Sequence, residues 1–354
     1  MSVSAKRSRH RFLMGLCIFA GVLLILGAAA LGWLWGELAR YEANTPESSV
    51  RRYLERVRDG QWDAIYEESG FQPTAIADRE DYIAWLQRTY EELPEDYALV
   101  RVSGGGEQTY ALMTADREIS RLELSSAPEG SKYSWQVRTQ VKTIPPVEVS
   151  APAFVTVSAD GLQLGEEYCT GQQSAPGYEQ LPEGVEAPQW LSYRVEGFLA
   201  PPQLSVQGPE GMNCTVTPLE EKGESLTAAV SVIPTEEKSE EYWALAEQAA
   251  KTYAAFITSD AERNQLNQYL LPGTPFYQAM QEFYNGWYIE HTGYAYENLV
   301  REEITVAGEG AFSASLSFDY LIYRGYKEYR YPSSYRLDFI QTNQGWKLVQ
   351  LTTR

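Results

Sequence analysis

Hydrophobic positions along this chain change their spacing four times, and each change predicts a different kind of element. Residues 12–36, FLMGLCIFAGVLLILGAAALGWLWG, carry no charge in twenty-five positions. About 20 apolar residues cross a hydrocarbon layer as a helix, so this run predicts one membrane span. From residue 45 the spacing becomes helical. Val50, Tyr53, Leu54 and Val57 recur at i, i+3, i+4, i+7, with Thr45 suited to an N-cap and Pro46 to the first helical position. Asp59-Gly60 ends that helix. Trp62, Ile65 and Tyr66 start a second, and Tyr82, Ile83, Leu86 and Tyr90 mark a third over residues 79–93.

After Pro94 the period drops to two. ALVRVS, QTYALMTA, EISRLELSS and KYSWQVRTQV alternate, separated by GGGE, DR and APEG, which predicts an antiparallel meander. Residues 144–234 then contain short strands and Gly/Pro turns only, among them FVTVSADGLQL, WLSYRVEGFL and LTAAVSVI. No amphipathic helix fits there, and about 90 residues of this pattern predict a small β-sandwich. The last piece repeats the first plan. EEYWALAEQAAKTYAAFITSDAERNQLNQYL is helical, with Trp243, Ala246, Ala250, Tyr253 and Ile257 on one face, and TPFYQAMQEFYNGW predicts a second capped helix. EITVAGE, AFSASLSFDYLIYR, SYRLDFIQ and GWKLVQLTT follow as strands. Helices followed by a meander, twice, with a β module between them, is an α+β layout. The boundaries predicted are a basic tail (1–11), span (12–36), linker (37–44), first α+β domain (45–143), β-sandwich (144–234) and second α+β domain (239–354).

Charge sets an address for this layout. KRSRHR precedes the span, whereas Glu37, Arg40 and Glu42 follow it, so the positive-inside rule predicts a cytoplasmic amino terminus and an extracellular bulk. A cleaved secretory signal is the competing reading, with small residues at Ala28 to Ala30. Signal cores run about 7–15 residues, and this run is longer, with Trp33 and Trp35 placed for an interfacial belt. Setting aside Lys6, Arg7, Arg9, Arg11 and Glu37 leaves 25 basic and 47 acidic residues, a net charge of −22 outside the membrane. That excess argues against nucleic acid as a partner, since such binding leans on Lys/Arg–phosphate contacts. No DxDxDG-type loop is present to make the acids a cation site.

Candidate chemistry is sparse. Cys17 lies in the span, which leaves Cys169 and Cys214 outside, where oxidation is permitted. A disulfide between them is one reading and two separate thiols the other; a bridge would be worth about 4 kcal/mol in the chain-entropy picture. HExxH, CxxC, GxxxxGK[ST] and GxSxG are absent from the sequence, so no metal, cofactor or catalytic residue is assigned. Gly104 to Gly106 sit between two strands and are expected as a hairpin turn. One enzyme-like reading uses the last domain, with Asp319, Asp338 and His291 as acid–base groups and Tyr320 and Tyr335 as donors. Strand parity weakens it. Phe312, Ala314, Leu316, Phe318, Tyr320 and Ile322 share a face, and Asp319 falls on the other with Ser313, Ser315 and Ser317. Asp338 likewise opposes Tyr335, Leu337 and Phe339, so both acids are expected on the solvent side.

The run TPESSVRRYLERVRDGQWDAIYEE resembles the opening of NTF2-like domains, and SYRLDFIQTNQGWKLVQLTT resembles their closing hairpin. The turn ADGxxL at residues 159–164 resembles that of small bacterial surface Ig-like modules. The resemblance implies an NTF2-like cone, an Ig-like module and a second cone in a membrane-anchored bacterial envelope protein. It is similar to the non-catalytic stalk domains of penicillin-binding proteins, although no SxxK motif is present. What it implies functionally is a non-enzymatic module that binds an envelope protein, a wall polymer or a small ligand; a pocket enzyme and a structural spacer are the alternatives. Two surfaces are candidates for contact. One is the tip of the last long hairpin, where Tyr323, Tyr326, Tyr329 and Tyr331 are interleaved with Arg324, Lys327 and Arg330. The other is a pocket mouth formed by Trp287, Tyr288, Tyr294 and Tyr296.

Overall fold

The computed structural model describes residues 4–102, 108–115, 117–129, 131, 133–210, 212–284, 288 and 290–354. Contacts divide the chain into two units, Met1–Lys142 and Thr143–Arg354. The Gly104 to Gly106 turn and Trp287 fall outside the described residues.

The first unit opens with a long helix, α1 (Ser4–Ala43). Its described part includes Gly21–Ala43, long and apolar enough to cross a membrane, with no residue of it covered by protein. Residues 37–44, expected as a linker, are helical as far as Ala43. Two residues later α2 (Pro46–Arg58) begins, with the Thr45 side chain accepting from the Ser48 N–H. Gly70 ends α3 (Trp62–Ser69) in the left-handed conformation, and a capping box of Asp78 and Asp81 starts α4 (Arg79–Tyr90). These helices cover one face of an antiparallel meander, β1 (Ala98–Val102), β2 (Gln108–Met113), β3 (Glu118–Ser126) and β4 (Trp135–Thr139). Val50, Leu54, Leu86, Leu112, Leu122 and Leu124 are wholly buried or within 1% of it. Inside that apolar layer the hydroxyls of Tyr53 and Tyr90 meet Thr139 Oγ1 at 2.7 and 2.6 Å. Burial pushes the Tyr90 phenol up to about 12, so it stays neutral and serves as a hydrogen-bonding group.

The second unit begins with β5 (Val147–Pro152), β6 (Thr156–Ala159) and β7 (Leu162–Gln163). Asp160 and Gly161 both take positive φ, 48° and 81°, as a two-residue hairpin turn requires. β8 (Cys169–Ser174), β9 (Gln189–Val195), β10 (Leu204–Gln207), β11 (Met212–Val216), β12 (Glu220–Lys222) and β13 (Ser225–Pro234) complete two sheets. One has the order β10-β6-β7; the other runs β11-β13-β5-β9-β8, with β12 also pairing with β13. The β13–β5 pair is parallel and the rest are antiparallel. Buried positions alternate along β5 and β6, giving a shared core of Val147, Val149, Val157, Val195, Val230 and Val232.

Of the two readings of the cysteines, the structure holds them as separate thiols. Cys169 lies on β8 and Cys214 on β11, at opposite edges of one sheet. Both are free thiols.

The same unit continues with α5 (Glu236–Ile257), α6 (Arg263–Asn267) and α7 (Pro275–Glu282). A second antiparallel meander follows, β14 (Gly293–Gly308), β15 (Ala311–Arg324), β16 (Lys327–Thr342) and β17 (Gly345–Thr353). β14 starts ten residues before the EITVAGE stretch that the alternation marked, and register shifts along it mark irregularities where the strand bends. The helix-covered face is filled. Tyr242 stacks on Phe312 at 4.1 Å between centroids and Phe312 on Phe339 at 4.8 Å; Trp243, Phe318, Tyr335 and Leu337 complete the packing.

The other face of this meander is not open to water as strand parity suggested. Ser313, Ser315 and Asp338 are buried, Asp338 to 2% exposure. The loop after β8 lies across them: Tyr178 is fully buried and its hydroxyl lies 2.8 and 3.0 Å from the carbonyl oxygens of Phe312 and Phe339. Ala175, Tyr178, Leu271, Ala307, Ala311, Ile340 and Val349 form one apolar cluster. Gly177 has φ 94°, and a Cβ there would run into the Asp338 carboxylate. Asp338 is therefore satisfied within the protein, accepting from Ser313 at 2.6 Å and from Arg336 at 3.0 Å. Burial outweighs those bonds and raises its carboxyl above the usual range.

Candidate functional site

The distal end of the second meander carries the residues singled out from sequence. Strand pairing lines up Tyr296, Tyr320 and Tyr331 in one cross-strand row and Tyr294, Ile322 and Tyr329 in the next. Cross-strand neighbours share a face, so these rows form a continuous aromatic surface that is buried at its centre and open at its rim. Tyr294 stacks on Tyr320 at 5.7 Å and Tyr296 lies 5.3 Å from the same ring. Tyr288, Tyr294 and Tyr331 are exposed.

Next to this rim is a polar cluster that the sequence reading did not assemble. Helix α5 ends in a Schellman arrangement: Ser259 at φ 65° donates its N–H to Phe256, and Asp260 donates its N–H to Ala255. That turn aims the Asp260 carboxylate at the meander. Tyr320 donates to Asp260 Oδ2 at 2.8 Å and Thr258 at 2.6 Å. The His291 Nε2 lies 2.9 and 3.0 Å from its two oxygens. His291 is held in place by the next residue, Thr292, whose N–H donates to the Tyr323 carbonyl at 2.8 Å. Burial and the Asp260 carboxylate raise the Tyr320 phenol well above its ordinary value, with burial the larger cause.

Of the acid–base candidates, His291 and Tyr320 are brought together. Asp319 and Asp338 join neither. Asp319 accepts from Asn298 and from Arg330, both at 2.7 Å; these two donors hold its carboxyl below the usual range, Asn298 contributing most. Tyr335 is buried in the packed core. The carboxylate that meets the histidine is Asp260, thirty-one positions away in sequence. Chemically the arrangement is a hydrogen-bonded Asp–His pair with a neutral phenol. Its geometry is closed: the His291 side chain is 3% exposed, and the carboxylate accepts from Tyr320 and Thr258 besides meeting His291. No cluster of three or more His, Cys, Asp or Glu suited to a metal occurs among the described residues.

The hairpin tip is open. Arg324 pairs with Lys327 across a two-residue turn in which Gly325 takes φ 60°, the position glycine fills in such turns. Tyr326 stands fully exposed between those two cations. Arg324 and Lys327 have no ion-pair partner among the described residues. Arg330 differs from both. It binds Asp319, Glu297 and Glu328 at 2.7, 3.1 and 3.3 Å, so its charge is compensated within the meander. Tyr323 and Tyr329 are half-buried.

No protein-family model matches this chain, and no curated protein matches it. Among solved structures, an Ntf2 like protein involved in plasmid conjugation is similar at 10% identity and a TM-score of 0.22, covering 83% of this chain and 94% of that one. At that TM-score no argument rests on the likeness. What stands is a mixed α+β chain of several sheets, with one N-terminal helix long and apolar enough to span a membrane.

Proposed function

We propose that this chain is a non-enzymatic, single-pass membrane protein of a bacterial envelope, with its amino terminus in the cytoplasm and its folded units outside. In this reading it holds an NTF2-like domain, an Ig-like module and a second NTF2-like domain, and it acts by binding an envelope protein. The observation that carries the binding role is the hairpin tip: Tyr326 fully exposed between two cations without an ion-pair partner among the described residues, on a protein whose other charges are predominantly acidic. An exposed aromatic beside free cations is the composition that anchors interfaces, and a positive tip on an acidic body suits an acidic patch on the partner. Support for a non-catalytic reading comes from the packed face of the second meander and from the closure of the Asp260–His291 pair.

A pure spacer is the second reading, favoured by the same filled core. The two separate on one experiment. Arg324, Tyr326 and Lys327 are replaced together by serine in the anchored protein, and crosslinked partners are compared with those of the parent. Loss of a specific captured protein supports docking through the tip. Identical capture from both forms removes the tip from the account, and no capture from either leaves the spacer.

A further inference from the structure

Next to the end of α1 the first meander holds a cleft of about 430 Å³, with Ser49, Arg52, Tyr53, Arg56 and Glu68 on one side and Tyr133 and Trp135 among the residues on the other. Both its walls are fastened to the end of α1, at Ala43 and the residue after it. Arg52 Nη1 donates to the carbonyl of Ala43 at 2.6 Å, and the Ser134 N–H donates to Asn44 Oδ1 at 3.0 Å. Arg52 also donates from Nη2 to Ser49 Oγ at 2.8 Å, and its guanidinium lies 3.8 Å from the centre of the Tyr133 ring. Two of the five N–H donors of Arg52 are used in these bonds. Arg56 carries the second cation, paired with Glu68 at 2.7 and 3.1 Å. Glu68 is half exposed and stands at the rim.

Position gives this basic, aromatic cleft its meaning. Trp33, Trp35 and Tyr41 are exposed along the last turns of α1, the place of an interfacial aromatic belt. From Trp35 to Tyr41 the helix rises about 9 Å and Ala43 follows about 3 Å further on, so Arg52 sits at the outer edge of the headgroup layer, which is about 5–8 Å deep on each side of the hydrocarbon. A guanidinium with free donors matches a phosphate oxygen pair, and Tyr133 and Trp135 offer apolar walls to the glycerol or sugar attached to it.

We propose that this cleft binds a phosphodiester anion, supplied by the headgroup of a lipid in the surrounding leaflet, with Arg52 and Arg56 as its cationic contacts and Glu68 as the group it displaces. The proposal rests on α1 being the membrane span; the hairpin tip plays no part in it. The test uses the full chain in nanodiscs of phosphatidylcholine, with phosphatidylglycerol added in increasing mole fraction, and reads thermal unfolding. The expected result is a rise in the transition temperature with phosphatidylglycerol. Arg52→Gln and Arg56→Gln should each raise the half-saturating mole fraction about tenfold, and Glu68→Gln should lower it. Arg40→Gln, which alters an exposed arginine of α1 close to the membrane surface, should leave it unchanged. Glycerol phosphate added to phosphatidylcholine discs distinguishes a soluble source: a rise there that Arg52→Gln abolishes keeps the anion site and moves its ligand out of the bilayer. No rise with either probe, or an equal loss in Arg40→Gln and the two cleft variants, overturns the proposal. Recovery of the parent chain in the aqueous phase without detergent would count against the span itself, separately from the cleft.

Discussion

Tyr178→Phe isolates one oxygen atom at the point where the β module meets the second meander. The ring of Tyr178 is wholly buried, so the substitution keeps its packing and opens no cavity. What is lost is a hydroxyl whose single proton faces the carbonyl oxygens of Phe312 and Phe339, at 2.8 and 3.0 Å. Removing one member of a buried hydrogen bond costs about 1–3 kcal/mol, because the acceptor left behind is desolvated without return. For a unit of about 200 residues each kcal/mol moves the midpoint by about 2–4 °C, so a loss of 2 kcal/mol predicts a fall of about 4–8 °C. Tyr178→Ala adds a cavity and should cost a further 3–5 kcal/mol, roughly. Differential scanning calorimetry of the detergent-solubilised chain reads both, with Tyr326→Phe, at a fully exposed ring, as the reference that should not move. A Tyr178→Phe midpoint within about 1 °C of the parent would refute the reasoning, since no buried bond of this kind is worth so little.

Other outcomes follow from the same contacts. Burial raises the Asp338 carboxyl in the folded protein, so the unfolded chain releases this proton first as pH rises. The stability tied to the protonated form is present below the ordinary carboxylate range and is lost through the raised folded value. Asp338→Asn should therefore gain stability on the parent as pH rises from about 4, and calorimetry across pH that shows a constant difference would contradict this. Cys169 and Cys214 should each react with a membrane-impermeant maleimide added outside intact cells, without prior reduction. Labelling that appears only after reductant would restore a bridge, and labelling only after lysis would reverse the orientation.

Local signals made much of the fold legible. A helix long and apolar enough to cross a membrane is read from length and missing charge, and Thr45-Pro46, Asp59-Gly60 and Asp160-Gly161 each act within a few residues. Alternation found the strands because one face of each meander packs against helices. Parity also assigned the face of Asp338 correctly, but not what covers it: the covering loop comes from residues some 160 positions earlier, and an alternating strand reads the same whether water or a loop lies on its polar side. The Asp260–His291 contact was illegible for a related reason. The sequence reading carried the helix through Thr258 to Asp260, a short polar stretch that in the structure forms its C-terminal turn, and the partner arrives through the fold. Arg330 shows the limit in the other direction. In sequence it belongs with the basic tip, and strand pairing gives it to three acids instead.

The most direct measurement places a photo-reactive amino acid at position 326 of the anchored protein in its own cells, with position 294 at the aromatic rim as the comparison. Crosslinking to one envelope protein from position 326, and none from 294, is the predicted result. Crosslinking from 294 alone, or from neither position, would contradict docking through the tip.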